Sequence, residues 1–412
     1  MAELMCPAGS FESLQAAIKA GADSVYFGVG RLNMRSRAIK FSIDDLGEII
    51  SICKSSNVKS YLTLNSVMYD EDLEEMKGLC DKAKGLGVTA IIASDMSVIQ
   101  YAHSIGLEVH MSTQTNISNI EAVKFYARYA DVIVLARELS LEQIREICNQ
   151  IREQNIRGPD GNLIKIEVFV HGALCVSISG KCYMSLATYN RSANRGSCLQ
   201  NCRRKYIVRD EETGDELKID NNYVMSPKDL CTIGIMDRLI DAGVEVFKIE
   251  GRARGEEYVY TVTKCYKEAI ESVLKNTYTE ERINNWRNEL KKVFNRGFWE
   301  NGYYLGKKIG EWSASYGSRA AKEKVEIGRV KNFYNEKMVA HIELTSGGLN
   351  TGDSIIVTGP ATGIVSFKAG RMLKDDKEIN KAVKGDSITI KVPEKARQND
   401  RVFVMRDRKS FQ

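Results

Sequence analysis

Over the first ~270 residues, short apolar runs alternate with stretches whose apolar residues recur at helical spacing. The runs fall at residues 3–5, 24–27, 59–64, 90–93, 108–111, 132–135, 165–170 and 245–249. Between the first two, Phe11, Leu14, Ala17 and Ile18 fall on one helical face. Gly21, Gly87, Gly106 and Gly243 each stand just before a strand run, where a helix ends in a left-handed cap. Repeated helix–glycine–strand joints predict a parallel sheet with crossover helices. Eight runs predict an α/β fold of the (β/α)8-barrel type. The alternative is an open doubly wound sheet, which the lack of a G-x-G-x-x-G after the first strand disfavours. A further apolar piece at 223–225 leaves the strand count open by one.

The alternation stops at Gly172 and resumes with a helical pattern near Leu230. The stretch between, residues 172–223, is rich in Cys, Ser, Asn, Arg and Gly, and an aperiodic insertion of this length inside a compact domain predicts function. The predicted catalytic domain is therefore residues 1–275 with this insertion, followed by a helical linker at 276–320. After residue 321 the pattern changes to short β runs at 325–330, 338–344, 354–357, 363–367 and 387–392, separated by Gly-Gly, Gly-Asp and Gly-Pro turns. That predicts a separate small β-barrel over 321–412.

The composition is that of a globular enzyme, with 43% apolar and 27% charged residues in 412. No run approaches the ~18 apolar residues a membrane span needs. The N-terminus has no basic region followed by an apolar stretch, so a cytoplasmic protein with reduced thiols is expected. The net charge of +5 is local in origin. From Val168 to Arg209 there is no Asp or Glu, while Lys181, Arg191, Arg195, Arg203, Arg204, Lys205 and Arg209 are basic. This segment predicts an anionic partner.

It also holds four of the ten cysteines, spaced Cys175-x6-Cys182-x15-Cys198-x3-Cys202, with Cys231 following after 28 residues. Three readings are open. Structural thiols belong on apolar faces, as Cys53, Cys80 and Cys148 do, whereas the loop cysteines have polar neighbours. Structural zinc prefers tight pairs, which only Cys198 and Cys202 form. An iron–sulfur cluster accepts irregular spacing, and its net negative charge suits a basic, acid-free surrounding. Five candidates for four places leave one spare.

Glu167-Val-Phe-Val-His-Gly-Ala-Leu-Cys175 followed by Gly180-Lys-Cys182-Tyr-Met-Ser185 resembles the signature of the collagenase-like peptidase family U32. The resemblance continues through Cys198-Leu-Gln-Asn-Cys-Arg-Arg204, Ser226-Pro-Lys-Asp-Leu230, Phe247-Lys-Ile-Glu-Gly-Arg252 and Asn295-Arg-Gly-Phe298, and covers nearly the whole chain. It implies a C-terminal barrel similar to domain two of elongation factors. Within the family the chain resembles the prephenate-dependent tRNA hydroxylation proteins. That likeness implies oxygen-independent 5-hydroxyuridine formation at the tRNA wobble position, with prephenate as hydroxyl donor. It also implies a [4Fe–4S] cluster held by Cys175, Cys182, Cys198 and Cys231, with Cys202 spare, and family members that work in pairs suggest a paralogous partner subunit.

Barrel active sites form at the C-terminal ends of strands. Those ends here carry Asn65, Asp95, His110 with Ser112 and Gln114, Arg137 with Glu138, His171, and Lys248, Glu250 and Arg252. Lys248, Glu250, His110 and Glu138 are the expected acid–base groups. Arg203, Arg204, Arg252, Arg137 and Gln114 are the expected substrate contacts, with Arg254 a further candidate, since guanidinium groups pair with carboxylate or phosphate. Tyr183, Tyr189 and Tyr206 among the basic residues suit loop RNA. A second basic surface is expected on the C-terminal domain, from Lys324, Arg329, Lys331, Lys337, Arg397, Arg401, Arg406 and Arg408. Two other functions stay open: a thiol- or metal-dependent peptidase, with His171 four residues before Cys175, and a non-catalytic RNA-binding subunit.

Overall fold

The computed structural model describes residues 2–38, 40–217, 225–307, 311–313 and 317–408. Eight parallel strands close into a barrel: β1 (Glu3–Pro7), β2 (Ser24–Phe27), β3 (Lys59–Leu64), β4 (Ala90–Ala93), β5 (Glu108–Met111), β6 (Val132–Val134), β7 (Lys165–Gly172) and β11 (Val246–Ile249). The closing ladders pair β11 with both β1 and β7, in parallel register from Glu3↔Val246 and Val246↔Glu167. All eight predicted strand runs are there, and the piece at 223–225 lies outside the described residues save for Met225.

The crossover helices form because each carries one apolar stripe. They are α1 (Phe11–Lys19), α2 (Leu46–Ser55), α3 (Leu73–Leu86), α4 (Met96–Ser104), α5 (Ile120–Tyr126), α6 (Leu141–Glu153) and α8 (Met236–Asp241). In α6 the stripe is Leu141, Ile144, Ile147, Cys148 and Ile151, all buried, and Ser140 with Gln143 closes a capping box at its start. These stripes pack on the outward strand residues as one core. Met5, Tyr26, Tyr61, Ala90, Ile92, Val132 and Val246 fill the barrel interior separately.

Strand β7 runs past the barrel rim. There β10 (Asp229–Cys231) pairs with it antiparallel, Leu230 opposite Gly172 and Cys231 opposite His171, and β12 (Phe298–Glu300) adds beside β10. The insertion thus leaves and returns at one rung. It contains α7 (Met184–Tyr189) and a small hairpin of β8 (Val208–Arg209) with β9 (Glu216–Leu217).

Within the segment expected to be a linker, residues 280–305 pack against the barrel. After α9 (Glu256–Leu274), α10 (Glu280–Lys292) and β12 put Ile283, Trp286, Leu290, Trp299, Tyr303 and Tyr304 into the barrel's own core. Large apolar side chains drive this: Trp299 is 2% exposed.

The C-terminal domain is antiparallel. Its strands are β13 (Lys322–Tyr334), β14 (Val339–Leu344), β15 (Gly348–Asn350), β16 (Ser354–Gly359), β17 (Gly363–Lys368), β18 (Met372–Lys374), β19 (Lys377–Ile379), β20 (Lys381–Val383), β21 (Ser387–Lys391) and β22 (Arg401–Asp407). Eight of them form one sheet, β17-β16-β22-β13-β14-β21-β18-β19, and β15 pairs with β20, all around a single apolar core. The domain docks on α1 and α9. Ala16 packs against Ile356, Ile364 and Phe403, and Lys324 bridges Glu256 and Glu257 at 2.7 and 2.8 Å. No helix among the described residues is long and apolar enough to cross a membrane.

Candidate active site

Strand direction places Thr63, Ser112, Lys248, Glu250 and Arg252 at the C-terminal mouth of the barrel. Together with Tyr26, Arg35, Asn65, Gln114, Arg137 and Phe169 they line a cavity of about 80 Å³. Its floor is charged. Lys248 Nζ is 2.7 Å from Glu167 Oε1, both side chains buried, and lies 4.6 Å from the Tyr26 ring centre. Burial pushes the Lys248 pKa down, against the pull of Glu167. Arg252, 7% exposed, donates from Nη1 to Thr63 Oγ1 at 2.5 Å. Burial lowers its pKa to about 10. Asn65 Nδ2 and Ser112 Oγ both donate to Gln114 Oε1, at 2.9 and 2.6 Å, which fixes the amide at the rim.

Glu250 is the acid at this mouth, 3.3 Å from Arg35 Nη2. Burial works to raise its pKa, but Arg35, Arg254, Arg137 and Arg252 outweigh that and hold it below the usual carboxylate range.

A second cavity of about 210 Å³ adjoins the first and shares Met34, Arg35, Arg137, Ser179 and Glu250 with it. The insertion forms its other walls, and Cys175, Cys182, Cys198 and Cys202 all line it. So do Arg37, Arg203, Arg254 and Arg296. The loop after β2 reaches this place through a close approach. Gly196 has φ +83°, and a Cβ there would stand 2.2 Å from Ser36 Oγ. Only glycine lets the insertion lie on that loop and bring Arg35 and Arg37 to the cysteines. Burial raises the Cys202 pKa; Arg203 opposes this, while Cys175, Cys198 and Cys182 push the same way as burial.

Cys231 is not with them. It is 1% exposed in the wall between β10 and α9, with Tyr266 Oη 3.8 Å from its sulfur. Cys231, expected as the fourth ligand, does not line the cavity, whereas Cys202, taken as spare, does. The physical reason is the pairing of β10 with β7, which turns Cys231 into the core.

Other expectations change too. His110 faces the barrel interior below the mouth, with no exposure, its Nε2 3.0 Å from Glu108 Oε1, and lines neither cavity. Glu138 is exposed and lines neither of these cavities but a third of about 110 Å³, which shares Thr113, Arg137 and Ser179 with the mouth. His171 turns outward among Tyr258, Tyr266 and Phe298, and burial lowers its pKa to about 3. Asp95 caps α4, accepting from Ser97 N at 3.0 Å and Met68 N at 3.0 Å. Arg203 is committed to neutral acceptors: Ser226 Oγ at 2.9 Å, Pro227 O at 2.8 Å and Leu174 O at 2.5 Å. These bonds tie the two ends of the insertion together.

Arg137 is partly buried and Arg204 is exposed. Arg137 stands 4.1 Å over Phe169 and lines all three cavities. Arg204 lies 5.0 Å from the Tyr189 ring, and Tyr183 and Leu186 of the same insertion are exposed. Sequence reasoning missed Arg35 and Arg37, and underused Arg296. The signal for the first two was a basic loop directly after a barrel strand.

No three His, Cys, Asp or Glu side chains among the described residues are placed to hold a single metal ion. Zinc thiolates would stand about 3.8 Å apart around Zn–S bonds of about 2.3 Å. A four-iron cluster sets its ligand sulfurs further apart, around a volume of its own. Four thiols on one cavity, with six arginines and one acid, fit that donor set and its charge.

The sequence profile of Peptidase family U32 matches residues 9–314. The chain is 54% identical over 402 residues to a protein named collagenase from Porphyromonas gingivalis, covering 97% of each chain. It is 32% identical to tRNA hydroxylation protein P1 of Bacillus subtilis, over 87% of this chain and 83% of that one. It is 34% identical to a 23S rRNA 5-hydroxycytidine synthase of Escherichia coli, over 76% of this chain and 46% of that one.

Proposed function

The chain belongs to peptidase family U32, and from that premise we propose that it is an RNA-hydroxylating enzyme of the cytoplasm. Its proposed substrate is a tRNA wobble uridine, converted to 5-hydroxyuridine with prephenate as hydroxyl donor. The observation that carries this reading is the pair of joined cavities. A cysteine-lined, arginine-rich chamber opens into a polar barrel mouth, and Arg35, Arg137 and Glu250 belong to both. Relatives named for tRNA and rRNA hydroxylation support the reaction class.

In this reading Cys175, Cys182, Cys198 and Cys202 hold a [4Fe–4S] cluster. The cluster would supply electron exchange or Lewis acidity at the junction of the cavities. Arg252, Arg35 and Arg137 bind the donor's carboxylates, for which a guanidinium fork is suited. Gln114, pinned by Asn65 and Ser112, orients polar edges at the rim. Glu250, ionised among its arginines, accepts a proton at the mouth. Arg204 on Tyr189, with exposed Tyr183, forms a stacking and phosphate-binding rim for an unpaired loop.

The name collagenase on near relatives favours a second reading, a peptidase. The side chains argue against it. No histidine side chain among the described residues is hydrogen-bonded to a cysteine: His171 and Cys231, opposite each other across β7 and β10, each meet the Tyr266 hydroxyl instead, at 3.3 and 3.8 Å, and the Ser–His contact of His341 with Ser387, at 2.6 Å, lies on the exposed C-terminal sheet. The test is nucleoside mass spectrometry of RNA from a deletion strain, with iron and sulfide analysis of anaerobically purified protein. Loss of 5-hydroxyuridine, restored by the wild-type chain and not by Cys182→Ala, is expected. Unchanged nucleosides together with gelatin cleavage abolished by Cys175→Ala would establish the peptidase.

A further inference from the structure

We propose that Lys248 is a carbonyl-capturing amine: the barrel mouth takes a 2-oxo carboxylate, and Lys248 condenses with its keto carbon. The inference rests on the reading that this cavity, not the cysteine chamber, receives the small co-substrate.

Three features of the site converge. Lys248 lines the cavity while Glu167, to which it is bonded at 2.7 Å, does not, so the amine stands in front and the carboxylate behind it. Glu167 is the amine's single hydrogen-bond partner among the described residues, and the other neighbours of Nζ are the faces of Tyr26 and Phe169, at 4.6 and 5.6 Å. The carboxylate is also incompletely used. Glu167 is fully buried, yet its Oε2 has no hydrogen-bond partner. A buried ion pair kept only for structure needs its remaining lone pairs satisfied. A free carboxylate oxygen beside an amine is what proton transfer to and from that amine requires.

The surroundings select the ligand. Arg252 follows Lys248 by two residues and makes a single hydrogen bond, to Thr63, among the described residues. Arg35 and Arg137 line the same cavity. A carboxylate held by these forks places the adjacent keto carbon toward the amine. Burial first, then the charges of Arg252 and Arg137, favour the neutral nucleophilic amine against the pull of Glu167, as in other lysines that form imines.

The chemistry balances without a redox partner. The ammonium passes a proton to Glu167, and the amine nitrogen forms a C–N bond to the keto carbon. The keto oxygen takes that proton and a second one from the nitrogen and leaves as water. Ammonium plus ketone become iminium plus water, with charge conserved. The iminium then withdraws electrons from the carbons beside it.

The test uses the full chain, purified anaerobically, with pyruvate as probe and cyanoborohydride to reduce an iminium to a stable secondary amine. Intact-mass analysis should show one carboxyethyl group per chain, and peptide mapping should place it on Lys248. Arg252→Lys should lower the labelling rate by about tenfold, the equivalent of one charge-assisted hydrogen bond. Because Lys248→Met leaves Glu167 buried without its partner, the Lys248→Met/Glu167→Gln pair is the matched control, and it should not label. Pyruvate that protects the wild-type fold against heat but is never trapped would overturn the amine chemistry and leave the co-substrate reading standing. Label spread over other lysines, unchanged in the double variant, would also overturn it. Specific trapping in a protein that leaves RNA unmodified would support the inference and defeat the RNA reading.

Discussion

The assignment of Cys202 rather than Cys231 to the thiol quartet is open to a direct comparison of two alanine variants. In Cys231→Ala a buried thiol is lost from the wall between β10 and α9. Its transfer term is about 0.8 kcal/mol, close to one buried methylene. The space left is about 25 Å³, which adds about 0.6 kcal/mol at ~24 cal/mol per Å³. Tyr266 loses no essential partner, because its hydroxyl still donates to Val170 O at 2.9 Å. The expected cost is therefore about 1.5 kcal/mol, a melting shift of a few degrees, with iron and sulfide at wild-type content. Cys202→Ala removes a half-buried thiol and costs less than about 1 kcal/mol of chain stability. It leaves three thiolates at the chamber, so iron per chain should fall below half. The assay is iron and sulfide analysis under anaerobic conditions, paired with thermal unfolding of the same preparations. Iron lost from Cys231→Ala and kept in Cys202→Ala would refute the reasoning from the cavity.

Arg203→Lys should destabilise the insertion by about 2–3 kcal/mol, because one ammonium cannot span three acceptors; limited proteolysis of residues 172–217 reports it, and the salt slope of tRNA binding should not change. Arg204→Ala should instead keep the fold and reduce that slope by about one phosphate contact, read from binding titrations at several salt concentrations. Arg252→Lys should lower hydroxylation more than tRNA affinity, by about 1.5–3 kcal/mol, in product formation measured against donor concentration. His171 has a folded pKa of about 3 against an ordinary value of 6.5. The unfolded chain therefore binds a proton the folded chain does not, and stability falls as pH drops from 6.5 toward 3. Between pH 6.5 and 5 this amounts to about 2 kcal/mol, and urea midpoints of wild type and His171→Gln should converge as pH is lowered.

The barrel was legible because its strands are buried on both faces. Ala90–Ala93 reads as a continuous apolar segment and Val246–Ile249 is broken only by Lys248, and the glycines before them have the positive φ of helix caps. Strands β10 and β12 were not legible, since Asp229-Leu-Cys231 and Phe298-Trp-Glu300 are too short for a period and pair only because β7 overruns the rim. The same gap hid the depth of Cys231: spacing along the chain records which thiols exist, not which face of a three-residue strand they take. Arg203 shows a related failure. Its charge marked it for an anion, while its three acceptors are neutral groups of the protein. Arg204, its neighbour, is instead exposed and lies against Tyr189.

The rung at which β10 meets β7 has a bearing on how such proteins diversify. Both ends of the excursion from Gly172 to Leu230 are fastened to the same pair of backbone groups, and Arg203 ties Leu174 to Ser226 and Pro227 just inside them. A loop closed at its base is nearly indifferent to its own length, each doubling costing about 0.6 kcal/mol. The barrel below it can therefore stay constant while the cassette above is lengthened, shortened or exchanged. A graft of another member's residues between those two fastenings should fold on this barrel.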